Sequence, residues 1–442
     1  MNNQIVKIIV IFLLIASCNG LKPMKDQDPL FGEKKIDKKQ QEVLDKKKIK
    51  LFIAEDIINK EFNPTLKINL ESIYDNSKEK INLYNNIGRY DYEGILGENN
   101  KFKFSKIVNF NQNEPKLIFI ENDLIFFDKK GTLTRYDEFN KKVWVLNNYS
   151  KIEKKSKPFL YLANNQDILI VADSISKFYA IDINNGNLIW TKNNSSSFNS
   201  EIKIHQNKFF ITDSQNTLHC FSIKDGKKLW SHETDNILIK SSKKLSIVID
   251  KEVVYFNNSI GDIRAISLEN GSLIWQLPTL NNDVYAESLS LKSSDLVLDN
   301  KSIYFSNNRN EFYSIDVNSG TIRWKQKINS STRPTIIGNT IITITQNGFL
   351  IIIDKISGNI VRITDIFEFI KEKKRKEISP VGFIVGSKYI YATISNGRMV
   401  IINIENGKNE KIIKIDGNKI SKPFVFKNNL FIVKDSAIIQ FD

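Results

Sequence analysis

From about residue 117 to the end of the chain, apolar and polar side chains alternate in short runs that are broken by clusters of Asn, Asp, Gly and Ser. The stretch FYAIDINNGNLIW (178–190) shows the pattern: Tyr179, Ile181 and Ile183 alternate with other residues, Asn184-Asn185-Gly186 interrupts, and alternation resumes at Leu188 and Trp190. A period of two places successive side chains on opposite faces, so this reads as strand, tight turn, strand. Asp182 stands where its carboxylate can accept turn N–H groups, and Asn185-Gly186 supplies the residue pair that best tolerates positive φ.

Six further segments have the same shape: LTRYDEFNKKVW (133–144), LHCFSIKDGKKLW (218–230), IRAISLENGSLIW (263–275), FYSIDVNSGTIRW (312–324), LIIIDKISGNIVR (350–362) and MVIINIENGKNEK (399–411). A Gly-x-x-x-Trp register holds at Gly186/Trp190, Gly226/Trp230, Gly271/Trp275 and Gly320/Trp324, and Trp144 follows Asn140 in the glycine position. Gly358 and Gly407 persist in the last two copies, but Arg362 and Lys411 stand where tryptophan is expected, which reads as degeneration. The copies recur every 38–49 residues, and each is preceded by two more β-like runs, such as DILIVADS (167–174) and KSIYFSNN (301–308). A repeat of that length with four strands is one antiparallel sheet, and such sheets stack radially into a propeller. After the seventh copy, 422–442 offers three strands and the chain stops, while NNKFKFSKIVNF (99–110) has the alternation of the missing fourth. The expected fold is therefore all-β: an eight-bladed β-propeller of four-stranded antiparallel blades, closed by an N-terminal strand that completes the last blade and leaves no free sheet edge.

Composition changes this picture little. A chain of 442 residues, 41% hydrophobic, can bury a large core but does not declare its domain count. The net charge of +14 points towards nucleic acid or an acidic surface, yet Lys outnumbers Arg 55 to 9 among abundant Asn and Ile, the signature of A/T-rich codons, so no nucleic-acid partner is expected. The N-terminus is more specific: one Lys, an apolar run from Ile8 to Ile15, small Ala16 and Ser17, then Cys18. Residues 1–17 read as a signal peptide and 18–50, with ten Lys against six acidic residues, as a solvated basic tether. Residues 51–98 form a segment before the propeller, and 99–442 form the propeller itself.

Candidate chemistry is sparse. His205, His219 and His232 lack metal-site spacing, and His219 and Cys220 are adjacent on a strand and so face opposite ways. No metal site and no catalytic residue is expected, because nucleophile-elbow and phosphate-loop motifs are also missing. Cys220, within LHCFSI, reads as a small buried hydrophobe.

Ile15-Ala16-Ser17-Cys18 resembles the lipobox of bacterial lipoproteins, which implies cleavage before Cys18, lipidation of its thiol and, with Asn19 following, delivery to the outer membrane. Cys220 would then be the sole remaining cysteine, so no internal disulfide forms. The Ala180-Asp182-Gly186-Trp190 pattern, kept in part at Ala265 and Ser314-Asp316, resembles quinoprotein-type (PQQ-like) repeats, whose tryptophans dock between blades; Trp144, Trp190, Trp230, Trp275 and Trp324 are expected to be structural. Lipobox, tether and eight such blades together resemble the BamB family of outer-membrane β-barrel assembly lipoproteins. KKKIKLFIAEDIINKEFNPTLKINLES (46–72) and NNIGRYDYEG (85–94) occupy the places of that family's lead into the first blade.

The resemblance implies a scaffold without cofactor, lipid-anchored at the periplasmic face of the outer membrane. It would be monomeric within a hetero-complex, bind the POTRA domains of BamA beside other BAM subunits, and assist unfolded outer-membrane proteins. By position, the family's first BamA contact falls on Ile237-Leu238-Ile239-Lys240, keeping apolar Ile237 and Ile239 and basic Lys240. The same run also reads simply as the start of an inner strand. The second contact falls near Ser290-Leu291-Lys292, where the family's carboxylates are replaced. Two alternatives stand beside this reading: a propeller lipoprotein with another protein-binding role, and a PQQ-dependent dehydrogenase.

Overall fold

The computed structural model describes residues 58–68, 86–90, 92–94, 96–103, 116–234, 244–279 and 291–442. They form eight four-stranded antiparallel sheets, which are the eight blades of a β-propeller. Blade 2 comprises Leu160–Asn164, Ile168–Asp173, Lys177–Asp182 and Leu188–Asn193, in sequence order from the inside outwards. Blades 1 and 3–7 repeat this order over 118–146, 203–232, 247–277, 297–326, 335–365 and 380–414. In blade 8, Phe424–Phe426, Asn429–Lys434 and Ala437–Phe441 are followed in the sheet by Glu98–Lys103, which runs antiparallel to Ala437–Phe441 with Lys101 opposite Ile439. The remainder of that N-terminal stretch, 104–110, lies outside the described residues.

Burial explains why the second and third strands of each blade are more uniformly apolar than simple alternation requires. A blade has neighbours on both faces, so strands such as Ile168–Asp173 and Ser302–Asn307 are buried along nearly their whole length. Fourth strands carry exposed apolar residues on their outward side, among them Leu188, Ile189, Leu273 and Ile274. The core is accordingly a set of layers between consecutive blades. One layer joins blades 3 and 4 through Phe210, Cys220, Ile247 and Phe256; another joins blades 6 and 7 through Ile342, Ile352, Val385 and Val400.

In blade 2 the hairpin between the third and fourth strands behaves as its residues require. Asp182 Oδ1 accepts the Asn184 and Asn185 amides at 2.8 and 3.3 Å, and Gly186 takes φ +76°. Beyond the turn, Ala180 pairs with Trp190 but Ile181 with Leu188, a one-residue bulge that recurs before each tryptophan. In blade 1 Asn140 adopts φ +63°, which Asn tolerates better than other side-chain-bearing residues.

Among the described residues two short helices interrupt the β architecture: α1 (Lys151–Lys155), with a capping box between Ser150 and Glu153, and α2 (Glu372–Arg375). The segment before the propeller is held to the blades by main-chain bonds. Asn86 O accepts from Leu298 N at 3.0 Å, Ile87 O from Ile336 N at 2.9 Å, and Tyr92 O from Ser387 N at 3.3 Å, while Leu96 N donates to Asp442 O at 2.9 Å. That stretch thus touches blades 5, 6, 7 and 8 in turn.

Candidate functional site

The repeat residues build the joints between blades. Each tryptophan of one blade lies against the turn glycine of the next: Trp144 on Gly186, Trp190 on Gly226, Trp230 on Gly271, Trp275 on Gly320 and Trp324 on Gly358. A Cβ at any of these glycines would stand 2.6–2.8 Å from a ring carbon, inside contact distance. The indole N–H is also used. Trp144, Trp190, Trp230, Trp275 and Trp324 donate to the carbonyls of Ile183, Ile223, Leu268, Val317 and Lys355 at 2.8–3.2 Å. Each acceptor lies three residues before the glycine, so one side chain satisfies both the shape and the polarity of the seam.

Arg362 occupies the tryptophan position between blades 6 and 7 and does the same work by other means. It is fully buried, and its guanidinium lies 3.3 Å from the position a Cβ would take on Gly407. Nη2 donates to Ile404 O at 2.6 Å, the acceptor three residues before Gly407, and Nη1 donates to Glu405 O and Leu66 O at 2.8 and 3.0 Å. Burial lowers its pKa to about 10, which leaves it charged at neutral pH. This copy is a substitution that preserves the joint. Its Leu66 contact ties residues 58–68 to the seam, where Phe62 bridges Ile363 and Ile68 N donates to Glu405 O.

Of the candidate partner residues, Ile237, Ile239, Lys240 and Ser290 lie outside the described residues, as does Cys18. The flanks are described. Thr234 and Lys244 bound the connection from blade 3 to blade 4, and Leu291 bounds the connection from blade 4 to blade 5. Both candidate segments are blade-to-blade connections, successive around the propeller. Lys292 is exposed, with its amide donating to Asn308 Oδ1 at 2.8 Å, while Leu291 is buried.

The remaining reactive side chains serve the blades. His219 Nε2 contacts Asp213 Oδ2 at 2.9 Å, both buried in blade 3. His232 contacts Gly271 O through Nδ1 and Arg264 Nη1 through Nε2, at 3.2 Å each, which is consistent with a neutral ring protonated at Nδ1. Burial, then Arg264, lowers its pKa. Cys220 is buried, and burial pushes its thiol up to about 12, so it is no nucleophile at neutral pH. Among the described residues no three His, Cys, Asp or Glu side chains converge as metal ligands, and no helix is long and apolar enough to cross a membrane.

A family model described as outer membrane protein assembly factor BamB matches residues 129–364. The crystal structure of BamB from Moraxella catarrhalis superposes with a TM-score of 0.66 at 14% identity, over 79% of this chain and 100% of that one. Quinohemoprotein alcohol dehydrogenase from Comamonas testosteroni superposes with a TM-score of 0.62 at 8% identity, over 85% and 82%. The computationally designed Ika8 protein gives 0.58 at 10% identity, over 78% and 99%. At such identities these likenesses establish the fold alone. No curated protein matches the chain in sequence.

Proposed function

The chain belongs to the BamB family of outer membrane protein assembly factors, and on that premise we propose that it is a non-catalytic scaffold of the β-barrel assembly complex. In this reading Cys18 carries the lipid that holds the propeller at the periplasmic face of the outer membrane. Ile237, Ile239 and Lys240 contact the POTRA domains of BamA, with Ser290 and Lys292 forming a second contact on the next connection. Other BAM subunits complete the assembly, and unfolded outer-membrane proteins are its clients. The observation that carries the reading is the family match, which runs from blade 1 through blade 6 of the eight-bladed frame. Exposed Lys292, at the start of blade 5, and two successive connections of suitable chemistry support it. Apolar side chains flanked by one cation make a small interface anchor.

Capture of BamA, or of its POTRA fragment, by the purified protein from solubilised membranes is the test. Binding that falls about tenfold in an Ile239→Asp, Lys240→Glu variant with unchanged folding is the expected result. Absence of capture by the native protein overturns the scaffold reading, and undiminished capture by the variant moves the contact elsewhere. The shared fold with a quinohemoprotein dehydrogenase gives a second reading, a PQQ-dependent oxidoreductase. PQQ uptake with dye-linked alcohol oxidation by the purified protein would favour it; we expect neither.

A further inference from the structure

The inner ends of the blades share a charge pattern that recurs from blade to blade. Two residues before the innermost strand stand Lys116 in blade 1, Glu201 in blade 3, Asp295 in blade 5, Arg333 in blade 6 and Lys422 in blade 8. Lys203 begins the inner strand of blade 3, and Lys244 stands three residues before that of blade 4. Innermost strands surround the propeller axis, so equivalent positions on different blades converge there. Lys116 interacts electrostatically with Glu201, Lys203, Lys244 and Lys422, and Lys203 does so with Glu201, Arg333 and Lys244. Lys203 Nζ lies 3.4 Å from Glu201 Oε1, and Lys422 Nζ lies 3.8 Å from Asp295 Oδ2.

Among the described residues five cations therefore meet two carboxylates, a surplus of three positive charges in a site where Lys203 and Asp295 are buried and Lys116, Glu201, Lys244, Arg333 and Lys422 are partly so. Beside this group a narrow cleft is lined by Arg333, Lys422, Asp295, Tyr90, Gly88 and Gly382. The lining is close: a Cβ on Gly382 would sit 2.5 Å from Lys422 Cβ, and one on Gly88 would sit 2.5 Å from Pro334 O. Like charges drawn out of water repel more strongly than on an open surface. Burial, aided by Lys203, Lys244 and Lys422 against the pull of Glu201, lowers the Lys116 ammonium to about 8.

We propose that this axial cluster binds a small multivalent oxyanion, of which inorganic phosphate is the simplest. Two or three negative charges on one compact ligand match the surplus, and ammonium and guanidinium groups arriving from several blades can donate to separate oxygens. Such a ligand binds the ring of inner strands and so stabilises the folded propeller by mass action.

The test titrates the full mature chain at neutral pH with inorganic phosphate by calorimetry, and follows thermal unfolding in phosphate against chloride at matched ionic strength. A saturable heat and a higher unfolding temperature in phosphate are expected. In a Lys116→Gln, Lys244→Gln variant the affinity falls about tenfold or more, whereas the unfolding temperature in chloride rises because repulsion is relieved. A Lys151→Gln, Lys155→Gln variant, at two exposed positions of α1, controls for general charge and retains native affinity. No saturable heat with equal unfolding temperatures in the two salts overturns the proposal. So does an equal loss of affinity in the two variants, or undiminished affinity in the axial one.

Discussion

Arg362 shows how far a residue type can depart from its repeat while the job it does stays fixed. Five seams use an indole N–H, and the sixth uses a guanidinium aimed at the corresponding carbonyl. Replacing Arg362 by Ala leaves the buried Ile404 carbonyl and the partly buried Leu66 and Glu405 carbonyls without this donor and opens a void, so a loss of about 3 kcal/mol is expected in urea unfolding. Arg362→Trp should recover most of it through Ile404 O. An alanine variant within about 1 kcal/mol of the native protein would show that the seam does not depend on this side chain. Gly407 was legible in the sequence, but Arg362 was not, because what the site conserves is donor geometry and bulk. The same scale holds a pH response. Asp173 is fully buried, accepts the Ile175 and Lys177 amides and the Tyr149 hydroxyl at 2.7–2.9 Å, and is nevertheless raised by burial from 3.8 to about 6. The native state thus binds this proton more tightly than the unfolded chain does. The stabilisation it brings is complete below pH 3.8 and is lost as pH rises through about 6. At about 1.4 kcal/mol per pKa unit, the full span is about 3 kcal/mol at most. The difference in unfolding free energy between the native protein and Asp173→Asn should fall across that window; a flat difference would refute the assignment.

At the scale of elements, the pairing of Glu98–Lys103 with Ala437–Phe441 has a direct consequence for the sheet of blade 8. A chain beginning after residue 103 leaves Ala437–Phe441 as an open edge, and unpaired edges recruit other strands. Size-exclusion chromatography should find that shortened chain in oligomers or aggregates and a chain beginning at residue 58 monomeric; a monomeric short chain would show that the edge is protected in another way. The hairpins around each Gly-x-x-x-Trp were readable because turn chemistry and alternation agree within a dozen residues. The seating of residues 58–68, 86–90 and 92–94 was not. Many of their links to blades 5–8 run through main-chain groups such as Asn86 O, Ile87 O and Ile68 N, which every residue carries and which leave no pattern in side chains. The bulge before each tryptophan was equally hidden, since one extra residue is a matter of pairing.

At the scale of the whole molecule, the membrane attachment and the charge are separate questions. With Cys18 as the lipid carrier, export of residues 19–442 behind a signal peptide that is cut without a lipobox should shift the protein from the membrane fraction to the soluble periplasm, because the described body has no helix able to span a bilayer. Continued membrane residence of that chain would point to an anchor other than lipid. Much of the excess of lysine is spread over the surface, but Lys116, Lys203, Lys244, Arg333 and Lys422 are gathered inside. Their common place just before or at an inner strand is a signal that only becomes visible once the strands are aligned blade against blade.

What the sequence determined by itself is the architecture, for a local reason. Seven blades repeat a turn that needs Asp or Asn and a residue at positive φ, followed in most copies by one large side chain, and seven such units every 38–49 residues with a partial eighth admit few arrangements other than a ring. What only the tertiary structure decided is every contact between units: the carbonyl that each tryptophan finds, the ability of Arg362 to stand in for one, and the convergence of charges from blades more than 300 residues apart. Those depend on which surfaces meet across a seam or around an axis, and no spacing along one chain encodes that distance.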